Sequence, residues 1–256
     1  MYDLAGIDVR SDGPVRVVTL NQPDTLNAIS EDLHEQFVAL WGHVEQDDGC
    51  RAIVLTGAGK AFSAGGSYED FERRRVNLAA RRRSLRLARQ LVDEMLNVAV
   101  PVVAAVNGAA VGLGCTITTL CDIVFMADTA FLADTHVSVA LVAGDGGAVT
   151  WPAMTSLLRA KQYLLTGDRL SAPEAVELGL ANFAVPADQL LAEATAFAHR
   201  LAAQPPQAVQ ETKALLNQHL KANAVRALAQ GLAAESQSHD TPEYEAVGEK
   251  LKPKET

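Results

Sequence analysis

The run Ala52-Ile53-Val54-Leu55-Thr56 empties into Gly57-Ala58-Gly59-Lys60-Ala61-Phe62-Ser63-Ala64-Gly65-Gly66, and this transition constrains the fold most strongly. A short apolar run bounded by glycine reads as a buried strand. The glycines at 57, 59, 65 and 66 leave the backbone nearly bare, as a chain needs where N–H groups must approach a ligand oxygen. A second bare stretch, Asn107-Gly108-Ala109-Ala110-Val111-Gly112-Leu113-Gly114, follows the apolar run Val100–Val106. Two such loops can present a pair of N–H donors to one developing oxyanion. Taken alone, the same glycines also suit tight turns.

The surrounding pattern predicts an α/β fold with a largely parallel sheet. Val15–Leu20 alternates as a strand and ends at the turn Asn21-Gln22-Pro23-Asp24. Ser30, followed by Glu31 and Asp32, predicts an N-cap for a helix to about Val44. After the glycine-rich loop comes an arginine-rich helix, with Leu85, Ala88, Leu91, Val92 and Met95 at helical spacing. Val100–Val106 and Cys121–Met126 predict further strands, with a helix between them. Strand, loop and helix recurring in this order favour parallel pairing. Gly144-Asp145-Gly146-Gly147 opens another helix, and Leu164–Asp168 closes the next. Ser171-Ala172-Pro173-Glu174 combines a cap, an early proline and an acidic third position. Beyond Pro186 strand signals cease, and the helical tail is broken at Gln204-Pro205-Pro206 and Asp240-Thr241-Pro242.

At 256 residues the chain can form one large domain, or a domain with an appendage, around a substantial core. Its net charge of −9 opposes general affinity for nucleic acid. Asp3, Asp8 and Arg10 interrupt any signal-peptide pattern, so a cytoplasmic location is expected. Cys50, Cys115 and Cys121 lack metal-ligand spacing and read as free thiols in a reducing compartment. From Met95 to Cys121 no residue is charged, a length sufficient to cross a bilayer. Asn97, Pro101 and Asn107 inside it, with no flanking aromatic belt, favour a buried strand, turn and helix over a membrane span.

Four ordered blocks carry a resemblance to the crotonase superfamily, the enoyl-CoA hydratase/isomerase proteins. They are Gln22–Ala28, Gly59–Gly66, Val106-Asn107-Gly108 through Cys121-Asp122, and Leu165-Thr166-Gly167 with Ala172, Glu174, Ala175, Gly179 and Leu180. The terminal Gly248–Pro253 is also similar to that family's ending. The resemblance implies a spiral of ββα units over residues 1–192 and a helical trimerisation region over 193–256. It further implies a homotrimer or a dimer of trimers, and an acyl-CoA thioester as substrate, with no cofactor beyond that CoA. The oxyanion hole would be the N–H groups of Gly66 and Leu113. Ala28, Ala64 and Gly65 would line the CoA channel, and Lys250 from a neighbouring subunit would approach the CoA phosphates.

The chain departs from the family at the chemistry. Typical hydratases hold water with two glutamates, and the matching positions here are Thr116 and His136. A threonine hydroxyl can position water but is no useful base at neutral pH. His136 can serve as acid or base, with Asp145 orienting its ring or itself acting as base. The alternatives are a hydrogen-bonded histidine at a strand end and an ordinary helix N-cap. Asp122 reads as a buried acceptor of backbone N–H bonds. The runs Arg73–Arg75 and Arg81–Arg83 read as a solvated helix face rather than as ligands of CoA phosphates or of a substrate carboxylate. Trp41 and Trp151 read as packing residues.

Overall fold

The structure is a computed structural model and describes residues 2–251. Its main sheet runs in the order β1 (Ile7–Asp12), β2 (Val15–Leu20), β3 (Ala52–Gly57), β5 (Val102–Val106), β7 (Ile123–Ala127), β10 (Phe183–Val185). Only β1 and β2 pair antiparallel; each later neighbour is parallel. All residues of β3 and β5 are buried, as expected for central strands covered on both faces. A second, smaller sheet holds β4 (Ala61–Ser63), β6 (Ala109–Val111), β8 (Phe131–Ala133) and β9 (Leu170–Ser171). In it β4, β6 and β8 run parallel, and β9 closes the edge antiparallel.

The two sheets explain the repeating unit. Each of β3, β5 and β7 enters the large sheet, and its successor β4, β6 or β8 crosses to the small one. Because Ala110 lies beside Ser63 and Val111 beside Ala133, the segments that follow these strands emerge side by side. Gly65–Gly66, Gly112–Leu113 and Asp134–His136 are thereby gathered at one end of the small sheet. Carboxyl ends of parallel strands are where such folds place ligands.

Helix α1 (Glu31–Glu45) starts where the sequence predicts, with Ser30 Oγ accepting from Leu33 N at 3.2 Å. The expected arginine-rich helix is two helices, α2 (Tyr68–Val76) and α3 (Leu78–Asn97). Asn77 separates them and caps the second through Ala79 N and Ala80 N. The uncharged stretch from 95 to 121 is divided among the end of α3, β5, β6 and α4 (Leu113–Leu120). No helix among the described residues is long and apolar enough to cross a membrane. Cys121 and Asp122 precede β7 rather than joining it. Asp122 accepts from Val102 N at 2.7 Å, as expected, but is half-buried rather than buried, and it also pairs with Lys213 at 2.8 Å.

Helices α5 (Gly147–Met154), α6 (Leu157–Thr166) and α7 (Ala172–Leu178) follow β8, the last with a complete capping box between Ser171 and Glu174. Helix α8 (Leu190–Ala202) lies on β2, β3, β5 and β7, burying Leu190, Ala194, Ala198 and Ala202. The division at 192/193 falls inside it. Helix α9 (Pro206–Ser238) packs on α3 and α5, and α10 (Pro242–Leu251) on α2, so the tail breaks at both predicted prolines. Trp41 and Trp151 are buried packing residues, and all three cysteines are free and buried.

Candidate active site

One cavity of about 290 Å³ lies at the gathered strand ends, and Gly65, Gly66, Leu113, His136 and Asp145 all line it. Two loops shape its floor. Gly65 sits at φ +88°, and a side chain there would meet Val111 O at 2.8 Å, so only glycine lets the loops touch. Asn27 pins the first loop from below, donating through Nδ2 to Ala58 O and Ala61 O, both at 2.9 Å. Ser63 Oγ completes the brace by donating to Asn27 O at 2.8 Å. Ile29 N donates to Gly65 O at 2.7 Å, a bridge that does not use the Gly66 N–H. Leu113 is the first residue of α4, so its N–H has no acceptor within the helix.

Above this floor runs a buried polar chain. Thr116 Oγ1 donates to Asp145 Oδ1 at 3.2 Å, and Asp145 Oδ2 accepts from His136 Nε2 at 3.2 Å. His136 Nδ1 in turn reaches Asp134 Oδ1 at 2.6 Å. Burial opposes the charged imidazole, but Asp145 and Asp134 outweigh it and hold the His136 pKa well above its ordinary value. Burial likewise opposes the Asp145 carboxylate, and His136 outweighs it, so the Asp145 pKa is lowered. His136 is therefore an imidazolium held between two carboxyl groups at neutral pH. Gly147 makes room for Asp134, because a side chain there would meet Asp134 Oδ2 at 2.1 Å. Asp145 is not an N-cap: Gly146 holds that position, and the Asp145 side chain turns to His136 and Thr116.

Ala64 also lines the cavity; Ala28 lies one residue before its lining residue Ile29, and Lys250 is exposed on α10. Sequence reasoning gave no part to Asp134, His34 or Glu235, and misplaced Arg74. Burial lowers the His34 pKa to about 4, leaving it neutral. Burial, reinforced by Asp145, raises the Glu235 pKa to about 8, so this cavity-lining acid keeps its proton at neutral pH. His34 Nε2, Arg74 Nε and Glu235 Oε2 are buried without hydrogen-bond partners. The solvated-face reading of the arginine runs holds only in part, because Arg81 is buried against Asp240 at 2.8 Å and Arg74 enters the cavity. No cluster of three or more His, Cys, Asp or Glu among the described residues is arranged to hold a metal ion.

The ββα spiral, its helical tail and its lined cavity define a crotonase-fold enzyme. Residues 10–253 match the enoyl-CoA hydratase/isomerase family model, and the chain belongs to that family. An enoyl-CoA hydratase/isomerase of known crystal structure from Mycobacterium paratuberculosis is 48% identical, with a TM-score of 0.94 over 98% of this chain and 100% of that one. The short-chain-enoyl-CoA hydratase of Clostridium acetobutylicum is 31% identical over 89% of this chain and 87% of its own length. The 1,2-epoxyphenylacetyl-CoA isomerase of Escherichia coli is 33% identical over 75% of this chain and 74% of its own. Relatives of this likeness thus include both a hydratase and an isomerase.

Proposed function

We propose that the protein binds an acyl-CoA thioester and moves a proton at the carbon next to its carbonyl, the step that hydration and isomerisation share. The thioester oxygen sits between the N–H groups of Gly66 and Leu113, whose peptides border the same cavity. Fixed backbone donors stabilise the enolate oxygen without reorganising as charge develops. The observation that carries this reading is the chain Thr116–Asp145–His136–Asp134, whose middle members Asp145 and His136 line that cavity. Asp145 takes the α-proton on a carboxylate oxygen, each of which keeps a lone pair beyond its existing bond. The C–H electron pair moves into the enolate, the proton held by Asp145 and His136 exchanges with solvent, and Asp145 returns a proton to carbon. Asp134 and Thr116 act as positioning residues, while His136 balances the Asp145 charge and shares its proton.

Ala28, Ala64 and Gly65 offer backbone contacts to the CoA part, and Lys250 of a neighbouring subunit meets its phosphates. Residues 193–256 provide the assembly surface of a trimer or a dimer of trimers around the 1–192 core. The reaction uses no cofactor beyond the CoA of its substrate, and the enzyme works in the cytoplasm. One observation favours a second reading, a non-catalytic CoA-binding trimer: His136 is engaged on both ring nitrogens and Asp145 on both oxygens. A panel of enoyl- and acyl-CoA esters followed by absorbance and mass spectrometry separates the two. Turnover that disappears in both Asp145→Asn and His136→Ala supports the enzyme. Binding of esters without any turnover supports the second reading.

A further inference from the structure

Arg74 stands apart from the arginines around it because it faces the cavity without a carboxylate partner. Arg82, Arg86 and Arg89, for which no ion pair is found either among the described residues, are exposed. Arg73 pairs with Glu31, Arg75 with Glu72, Arg81 with Asp240 and Arg83 with Glu31 and Glu35. Arg74 lies on the face of α2 that also carries Phe71, and it lines the cavity. Among the described residues no carboxylate lies within 4.0 Å of its guanidinium. Nη1 donates to Ser84 Oγ at 2.8 Å, and Nε is buried with no partner. Nη2 would stand 3.5 Å from a methyl group placed on Gly66, so the fork flanks the glycine that borders the proposed thioester position. The nearby acid, Glu235, is held in its neutral form, and His34 is neutral as well. Arg74 is half-buried with its Nε sealed from solvent, and a cation so held without a counter-ion is costly unless a ligand supplies the missing charge.

We propose that Arg74 receives a carboxylate carried on the acyl chain, so that the substrate is the monothioester of a short dicarboxylic acid. The proposal rests on the acyl-CoA reading above. Guanidinium and carboxylate match as a two-point fork, which an aliphatic chain cannot exploit. The cavity of about 290 Å³ is small, and Arg74 flanks Gly66, so the carboxylate lies only a few bonds from the thioester.

The test measures binding of succinyl-CoA, glutaryl-CoA, butyryl-CoA and acetoacetyl-CoA to the full chain by calorimetry, in wild type, Arg74→Met and Arg74→Gln. Arg74→Gln retains a donor for Ser84, and circular dichroism confirms that each variant is folded. The expected result is that one dicarboxylic ester binds wild type at least about 10-fold more tightly than butyryl-CoA. Both variants should lose that preference while butyryl-CoA binding changes less than about 3-fold. Equal binding of dicarboxylic and neutral esters overturns the Arg74 proposal and leaves the acyl-CoA reading standing. Selective binding of acetoacetyl-CoA overturns it in favour of a neutral keto oxygen. An equal loss for all esters in the variants overturns it in favour of a general role beside Gly66. Absence of binding by every ester overturns the acyl-CoA reading and the proposal with it.

Discussion

Replacing Asp134 by asparagine isolates what the far end of the polar chain contributes. The side chain is 1% exposed and its Oδ1 lies 2.6 Å from His136 Nδ1, so the substitution keeps shape and removes a buried charge partner. Breaking a buried ion pair costs about 3–5 kcal/mol. Because Asp145 remains 3.2 Å from the other ring nitrogen, the lower end applies, about 3 kcal/mol. For a chain of this size each kcal/mol moves Tm by about 2–4 °C, so Tm should fall by about 6–12 °C. The pH dependence follows from the raised His136 pKa. Stabilisation from such a group is complete below the unfolded imidazole value and is lost as pH rises through the folded value. With one carboxyl group gone the folded value drops, so the variant should lose its stability at lower pH than wild type. Turnover should fall about 10²- to 10³-fold, less than when the only carboxylate orienting a catalytic histidine is removed. Thermal unfolding by circular dichroism across pH, with acyl-CoA turnover on the same samples, reads all three quantities. A variant with wild-type Tm, pH profile and kcat would refute the claim that Asp134 holds His136.

Three further outcomes follow from the same structure. Glu235 keeps a proton that the unfolded chain releases near the ordinary glutamate value of 4.5, so stability should decline between about pH 4.5 and 8. Glu235→Gln should flatten that slope and raise Tm at pH 8, measured by calorimetry; an unchanged slope contradicts the assignment. Lys213→Met removes the bond to Val100 O and the partner of Asp122, both at 2.8 Å, and should cost about 2–4 kcal/mol in urea unfolding, with the affinity for CoA esters intact. Gly65→Ala places a methyl group at φ +88° against Val111 O and should cost about 1–3 kcal/mol while reducing turnover far more than stability. Wild-type turnover in that variant would show that the two loops need not touch.

Much of this architecture is legible in the chain because burial and capping leave local marks. The central strands read as apolar runs, and Ser30, Ser171, Gly167 and Gly179 mark helix ends where the structure has them. The small sheet is not legible: β4, β6 and β8 are three residues each and β9 two, too short for any alternation to register. Strand β1 was hidden for another reason, since Asp8, Arg10 and Ser11 give it a polar edge. At the site, glycine motifs pointed to Gly66 and Leu113, which line the cavity, whereas Asp134 and Glu235 matter through burial, and Arg74 through a placement, that only the fold creates. Two of them did leave a trace. Glu235 continues the buried stripe Leu228 and Leu232 on α9, and Arg74 lies one turn after buried Phe71. A charge at the next position of an apolar stripe signals an ionisable group turned toward the packed face.

The central claim is that this cavity makes a thioester enolate through Asp145 and His136. Incubating butyryl-CoA with the protein in deuterated water and following its mass tests that step without assuming hydration or isomerisation. The account predicts deuterium at the carbon beside the carbonyl, slowed at least about 10²-fold by Asp145→Asn and by His136→Ala. Exchange at the wild-type rate in both variants, or none above the protein-free rate in wild type while the ester is bound, would contradict it.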